Sequence, residues 1–399
     1  MVSPARMCLV CKGSRALCGN KTCPLLPRFR IKPELEKKIS TEFFGPAYSV
    51  FVGRMGYPNL GVGPLAAVEE RQGIDSPGSW LGMEYSKIVE LRSLLIRSKQ
   101  RENIFSRSRF ISENQELALA SKPTDIELEF FKKPTYRVSF SDVVQPMGPT
   151  ASLKKLTITE NPRIPRKVES IVNDEIKAAE AGGLLYKRGE DVYKITTILS
   201  AGTLGLERNK KLVPTRWSIT AVDDMIAKHL MEKVRTYRPI NNFMVFESRY
   251  LDNHFVIIFM PGGWEFENFE AWAPGSTWSH NLKETEILGE YEPFEGRTSY
   301  AELEAGGYYA SRIACVEKLN EMRRQARVVV FREVYEGYVV PLGVWVVREA
   351  ARSAYKKEPK VFNTQKDALD YVQTRVRVSV NEYVKRSRIL GQKRLFDFS

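Results

Sequence analysis

No apolar run in the 399-residue sequence reaches the roughly 20 residues needed to cross a bilayer, so no membrane partner is expected. A secretory leader is also missing. Met1 to Met7 carries one Arg and passes straight into cysteines without an apolar core, and a cytoplasmic location is the expectation. Histidine is scarce: His229, His254 and His280 show no metal-pair spacing, and each reads more simply as a satisfied structural residue. Beyond Cys23 only Cys315 remains, within a helical pattern, as a small core residue. The glycine-rich stretch Gly53 to Pro64 lacks a Gly-Lys-Ser/Thr ending, which excludes a P-loop nucleotide triphosphatase. The absence of a compact Asp/Glu/His constellation argues against a metal-dependent nuclease.

Basic charge is what the chain does have. Lys and Arg number 61 against 48 Asp and Glu, a formal +13, which favours polyanions and makes DNA the natural partner. The excess lies in short clusters, as suits a folded surface. Against this stands the simpler reading that many basic proteins of this size bind no nucleic acid.

Four cysteines fall within the first two dozen residues. Cys8, Cys11, Cys18 and Cys23 follow a C-x2-C-x6-C-x4-C pattern, with Gly13 and Gly19 giving freedom to the turns. Four thiolates suit one tetrahedral Zn2+ in a structural role, since no coordination position stays open for chemistry. A disulfide pairing is the rival, as it occurs inside hyperthermophiles.

Periodicity points to an α+β fold. Three parts are expected: a zinc module over 1–28, a main body over 29–390 with a possible subdomain break near 150–200, and a tail over 391–399. Ser49 to Val52 reads as a strand entering the glycine-rich loop, where Arg54 and Tyr57 are the ligand candidates beside a purely conformational role for the glycines. Leu81 to Ser98 has helical spacing, residues 121–165 read as short strands, and a helix from Arg166 is expected to stop at Gly182-Gly183. Thr220 to Arg235 reads as a core-packed helix with Asp223-Asp224 capping its start. Asn242 to Tyr250, His254 to Met260 and Trp264 to Trp272 read as an antiparallel meander. Glu270, among aromatics on the last strand, is the candidate catalytic carboxylate; exposed edge charge is the simpler reading. A helix over Leu342 to Tyr355 and a last helix capped by Thr364 complete the pattern.

The organising stretch is Leu206 to Asp224, where Arg208, Lys210, Lys211 and Arg216 crowd a Pro-bearing loop with Trp217 ahead of a helix start. Such a loop invites a phosphate. Arg163, Arg166 and Lys167 add a second basic cluster. The wording Arg208-Asn-Lys-Lys-Leu-Val-Pro-Thr-Arg-Trp-Ser-Ile-Thr-Ala-Val-Asp-Asp224 resembles the central motif of the archaeal Nre family of DNA repair proteins. Ser49-Val-Phe-Val-Gly-Arg-Met-Gly-Tyr-Pro58, Asn161-Pro-Arg-Ile-Pro-Arg-Lys167 and Gly306-Gly-Tyr-Tyr-Ala-Ser-Arg312 extend the resemblance over most of the chain. It implies DNA repair in company with the sliding clamp and supplies no chemistry. Gly306 to Ser311 also has a short likeness to a loop of ADP-ribosyltransferases that bind a nicotinamide cofactor, against which core packing of Tyr308 and Tyr309 leads.

The tail Gln392-Lys-Arg-Leu-Phe-Asp-Phe-Ser399 resembles the peptide with which proteins dock on the sliding clamp PCNA. Gln392 would hydrogen-bond beside the pocket while Leu395, Phe396 and Phe398 supply its apolar contacts; Ser399 stands where a second aromatic often does. Folding back onto the body is the alternative. The expectation is a DNA repair protein that touches DNA through basic surface and is recruited to PCNA by its tail. The rival is an enzyme acting on DNA or a nucleotide, a nuclease or ADP-ribosyltransferase-like, with the Arg216-Trp217 loop as its phosphate site; a clamp-linked adaptor that binds no DNA is a third. Deleting residues 392–399 should abolish clamp binding and leave the fold intact; unchanged binding by calorimetry would refute the tether.

Overall fold

Alternating inward and outward residues in the first part of the chain build a closed barrel. This computed structural model describes residues 23, 37–136, 147–276, 279, 282–338 and 341–391. Strands β1 (Glu42–Val52), β2 (Asn59–Ala67), β3 (Leu95–Asn103), β4 (Thr124–Phe130) and β5 (Thr150–Ile158) close in the order β1-β2-β3-β5-β4. All neighbours are antiparallel except β3 and β5, which run parallel. Helix α1 (Tyr85–Ser93) lies in an insertion between β2 and β3, and helix α2 (Arg109–Leu119) lies between β3 and β4. This strand order, with a helix ahead of the fourth strand, is the connectivity of an OB-type Greek-key barrel. Val50, Val52, Leu60, Val62, Ile96 and Ile126 fill the interior.

The second half is a six-stranded sheet between helices. Its strands are β6 (Phe243–Tyr250), β7 (Asn253–Met260), β8 (Glu265–Trp272), β9 (Glu286–Glu292), β10 (Arg327–Val334) and β11 (Lys360–Phe362), in the order β11-β6-β7-β10-β8-β9. Helices α3 (Arg166–Asn173), α4 (Ala178–Lys187), α5 (Val192–Ser200), α6 (Thr215–Val234), α7 (Gly306–Met322) and α8 (Trp345–Ala354) contribute to the core on one face. Helices α9 (Gln365–Arg375) and α10 (Val380–Val384) cover the other. Strands β7 and β10 are buried at every position, and each carries an apolar run, Phe255 to Met260 in β7 and Val328 to Phe331 in β10. Trp80, Ile88 and Leu91 from the barrel insertion pack with Leu342, Trp345 and Val346, joining the two halves.

Several expectations need correction. The meander is not one: β6 and β7 form a hairpin, but β10 enters between β7 and β8, pairing antiparallel with the first and parallel with the second. Glu270 is therefore on an interior strand, not at an exposed edge. The helix expected over Leu81 to Ser98 ends at Ser93, because Arg97, Lys99 and Arg101 follow a period of two and belong to β3. The glycine-rich loop spans only residues 53–58; Gly61, Gly63 and Pro64 lie within β2. A Cβ on Gly63 would stand 2.5 Å from the Ser98 carbonyl oxygen, so the close strand approach requires glycine there.

Helix α6 starts at Thr215 rather than Thr220, immediately after Pro214, so Thr220 lies inside it. Asp223 and Asp224 do not cap its start. Asp223 sits at zero exposure with both oxygens on Arg348, while Asp224 pairs with Lys228 and Arg312. Thr364 does cap α9, accepting from the Asp367 backbone at 3.1 Å and donating to its carboxylate at 2.7 Å. Among the described residues, no helix is long and apolar enough to cross a membrane.

Gly182 and Gly183 do not stop a helix; they lie within α4. A Cβ on Gly183 would stand 2.6 Å from His229 Cγ and 3.0 Å from its Cβ, near the root of that side chain, where rotation gives little relief. Alanine normally stabilises a helix interior over glycine by about 1 kcal/mol. Here the clash wins: Gly183→Ala should lower stability by about 1–3 kcal/mol, read as a drop in the urea midpoint, and a raised midpoint would show that α4 and α6 have room to part.

Candidate nucleic-acid interface

The central segment is pinned by its backbone, which leaves selected side chains free. Leu212 donates its N–H to Ile104 at the end of β3 at 2.8 Å, and Val213 donates to Ser200 at 3.0 Å. Thr215 accepts the Val52 N–H from β1 at 3.0 Å, tying the first turn of α6 to the barrel. Gly202 has φ +75 and passes so close that a Cβ would meet Lys211 backbone atoms at 2.7 Å. The segment is thus a fixed ledge on the barrel.

Its cations divide into two groups. Lys210 is nearly buried, with its ammonium 3.0 Å from Glu207 and 3.1 Å from the Val172 carbonyl at the end of α3, so it serves as a strut. Arg208, Lys211 and Arg216 are exposed, and among the described residues none forms an ion pair. The second cluster divides likewise. Lys167 is spent on Glu190 at 2.8 Å and the Arg188 carbonyl at 3.0 Å, whereas Arg163 and Arg166 project into solvent.

Trp217 is brought against the β1–β2 turn. Its ring lies 5.5 Å from that of Tyr57, tilted by 47°, and both remain about half exposed at 47% and 49%. The turn also carries Arg54 and Met55 in solvent, and Gly56 with φ +86 packs beneath the Arg101 guanidinium of β3. Further along the same outer face, Phe51 pairs opposite Gly63, the Lys99 side chain lies over Gly61 where a Cβ would stand 3.4 Å from it, and Arg97 sits 4.0 Å from the centroid of the Phe51 ring. Burial and the Arg97 charge lower the Lys99 ammonium from its usual range. Phe51 on β1 carries no signal of its own, and Lys99 and Arg101 read as charges on the solvated face of the expected helix, with a DNA contact as the alternative; the period-two wording Arg97-Ser-Lys-Gln-Arg101 was the available signal of a strand.

Glu270 occupies a separate, buried centre. Its carboxylate pairs with Arg332 and accepts the Trp272 indole N–H at 3.2 Å, so both oxygens are engaged. Gly307, at the start of α7, makes room for it: a Cβ there would stand 2.3 Å from Glu270 Oε1. Nearby, Glu304 accepts from Asn268 Nδ2 at 2.6 Å, while its other oxygen has no partner among the described residues. Burial first, and the Glu270 charge second, hold the Glu304 carboxyl well above the usual range. Tyr308 and Tyr309 pack in the core, with the Tyr308 hydroxyl on Glu292 at 2.9 Å and the Tyr309 hydroxyl receiving the Ala301 N–H at 3.1 Å.

His254 and the lone distal cysteine are locally satisfied. His254 bridges Tyr335 and Glu247, each at 2.9 Å, and His229 packs on Gly183. The Cys315 thiol, pushed up to about 12 by burial, accepts from the Tyr355 hydroxyl at 3.1 Å. Among the described residues, no group of three or more His, Cys, Asp or Glu could hold a metal ion. Cys8, Cys11 and Cys18, His280, and the tail residues Gln392, Leu395, Phe396 and Phe398 lie outside the described residues; Cys23 is described and half-buried.

Two family models match the chain: archaeal Nre, N-terminal, over residues 17–279 and archaeal Nre, C-terminal, over residues 292–398. The gap between them falls between β8 and the end of β9, inside the six-stranded sheet. The DNA repair protein NreB of Archaeoglobus fulgidus is 39% identical over 397 residues, covering 98% of this chain and 99% of the relative. The DNA repair protein NreA of the same organism is 39% identical over 374 residues, 92% of this chain and 93% of the relative. NreA of Haloferax volcanii is 36% identical over 370 residues, 89% and 88%. No solved structure matches.

Burial of Glu304 makes stability depend on pH in a defined direction. Its folded pKa lies above the ordinary 4.5, so the folded state keeps a proton that the unfolded chain releases, and stability falls as pH rises above 4.5 toward the folded value. Glu304→Gln, neutral throughout, should gain on the wild type as pH rises above 4.5 in urea unfolding. A gap that does not change with pH would show that Glu304 titrates normally.

Proposed function

The chain belongs to the archaeal Nre family, and from that premise we propose that it is a DNA repair protein that binds DNA through the cations presented on the barrel-side ledge. The observation that carries the reading is the ledge itself. Its backbone is hydrogen-bonded to the end of β3 and to α5 and the Thr215 hydroxyl ties it to β1, while Arg208, Lys211 and Arg216 stand in solvent without acidic partners among the described residues. Cations held on fixed backbone contact phosphates without reading sequence, giving affinity that falls steeply with salt. Arg54 on the neighbouring turn continues this surface, and Arg163 and Arg166 add further exposed charge.

Two further parts belong to the same reading. Residues 392–399 supply the tether to the sliding clamp PCNA, supported by the spacing of Gln392, Leu395 and Phe398. The chain leading to them is firmly seated: Ile389 and Leu390 are buried, and Glu267 receives the backbone N–H groups of Arg388 at 2.8 Å and Ile389 at 3.4 Å. Structural Zn2+ on Cys8, Cys11, Cys18 and Cys23 rests on the thiolate spacing and on a donor set that leaves no open position.

The triple charge reversal Arg208→Glu, Lys211→Glu and Arg216→Glu should weaken DNA binding by more than about tenfold at moderate salt. It should also flatten the slope of log affinity against log salt by about 0.9 for each duplex phosphate that the variant no longer neutralises. Unchanged affinity and slope in anisotropy titrations would place the DNA surface elsewhere.

A further inference from the structure

The outer face of β1, β2 and β3 next to the β1–β2 turn carries more than charge. Gly53, Gly61 and Gly63 leave its floor as bare backbone, and Lys99 and Arg101 stretch across it from β3, reaching over Gly61 and Gly56. At the edge stand Tyr57 and Trp217, in mutual contact and each with about half of its surface in water. Burying either ring fully in the protein would be favourable by a few kcal/mol, yet the fold props both outward from rigid supports, a tight turn and the first turn of a 20-residue helix. Arg54 and Arg216 flank the pair and form no ion pair among the described residues.

Flat exposed rings between unpaired cations suit a polyanion that offers flat faces of its own. Duplex DNA does not, because its bases are stacked on one another and only phosphates and groove edges reach a protein surface. A single strand offers both phosphates and free base faces, and an OB-type barrel uses this side, centred on its second and third strands, to hold oligonucleotides. Glu102 stands opposite the interior residue Leu60 and so lies off this face, while Asp75 beside it is half-buried, accepting the Ser49 hydroxyl near Arg92 and Arg97.

We infer that this face of the barrel binds single-stranded DNA, with Tyr57 and Trp217 stacking on bases and Arg54, Lys99, Arg101 and Arg216 contacting the backbone. The inference rests on the reading that the protein binds DNA and narrows it to a strand state and a track. Stacking and charge together make the face tolerant of sequence, and its salt dependence should be shallower for each phosphate than on duplex.

The test uses the full chain and three labelled probes of about 16 nucleotides, the upper range for one such barrel: oligodeoxythymidine, a blunt duplex and oligouridine. Wild type should prefer oligodeoxythymidine to duplex by about tenfold or more. Trp217→Ala and Tyr57→Ala should each cost about tenfold on the single strand with little effect on duplex. Trp217→Phe, which keeps a stacking face, should recover most of the loss, and circular dichroism melting checks that the variants fold. Equal affinity for the two DNA forms, an equal loss on both, no recovery with Phe, or tighter binding of oligouridine would overturn the assignment while leaving DNA binding by the ledge intact. Failure of wild type to bind any DNA probe would instead overturn the proposed function.

Discussion

The architecture turns on one buried ion pair. Arg348 of α8 holds Asp223 of α6 through two hydrogen bonds of 2.9 and 2.6 Å, with both residues almost wholly removed from water. An isolated charge at that depth is untenable, and losing one partner typically costs about 3–5 kcal/mol. The pair therefore fixes the position of α6 against α8. At its other end α6 reaches the barrel, where Thr215 accepts from Val52 and Trp217 meets Tyr57. One helix thus spans from the core of the sheet to the barrel surface, and the solvent-facing residues of its first turn inherit the rigidity of the pair.

Buried carboxylates do comparable work on the opposite face of the sheet. Glu333 of β10 accepts the backbone N–H groups of Arg377 and Val378, each at 2.8 Å, and the Tyr335 hydroxyl at 2.7 Å. Glu267 of β8 does the same for Arg388 and Ile389 and also binds the Ser387 hydroxyl. These hydrogen bonds stitch non-helical backbone after α9 and α10 to the central strands. Burial raises the pKa of the Glu267 carboxyl despite these bonds, and it raises that of Glu304, with one oxygen lacking a partner among the described residues, well above the usual range.

What the sequence made legible is what depends on local pattern. The cap at Thr364, the apolar strand β7, and the helix within Leu342 to Tyr355 follow from periodicity and side-chain chemistry. What escaped depends on partners far away in the chain. Gly183 looks like a helix stop until His229 is seen against it, and Gly63 looks like a loop residue until the Ser98 carbonyl is seen above it. Glu270 reads as an edge charge only while β8 is placed next to β7; the entry of β10 between them is invisible to any local signal. Of the interface, Arg54, Arg216 and Trp217 stand out by residue type. Phe51, Lys99 and Arg101 required the barrel, since only its registration brings their strands beside the turn.

The late arrival of β10 also governs how the molecule can be made. Strands β7 and β8 leave the ribosome with their facing edges unpaired, and the strand that fills the gap begins only at Arg327. At about 5–20 residues per second, the nascent polypeptide carries two open apolar borders for several seconds. During biosynthesis that interval is the window for mispairing with neighbouring chains, and the sheet closes by insertion into its middle rather than by growth at its rim.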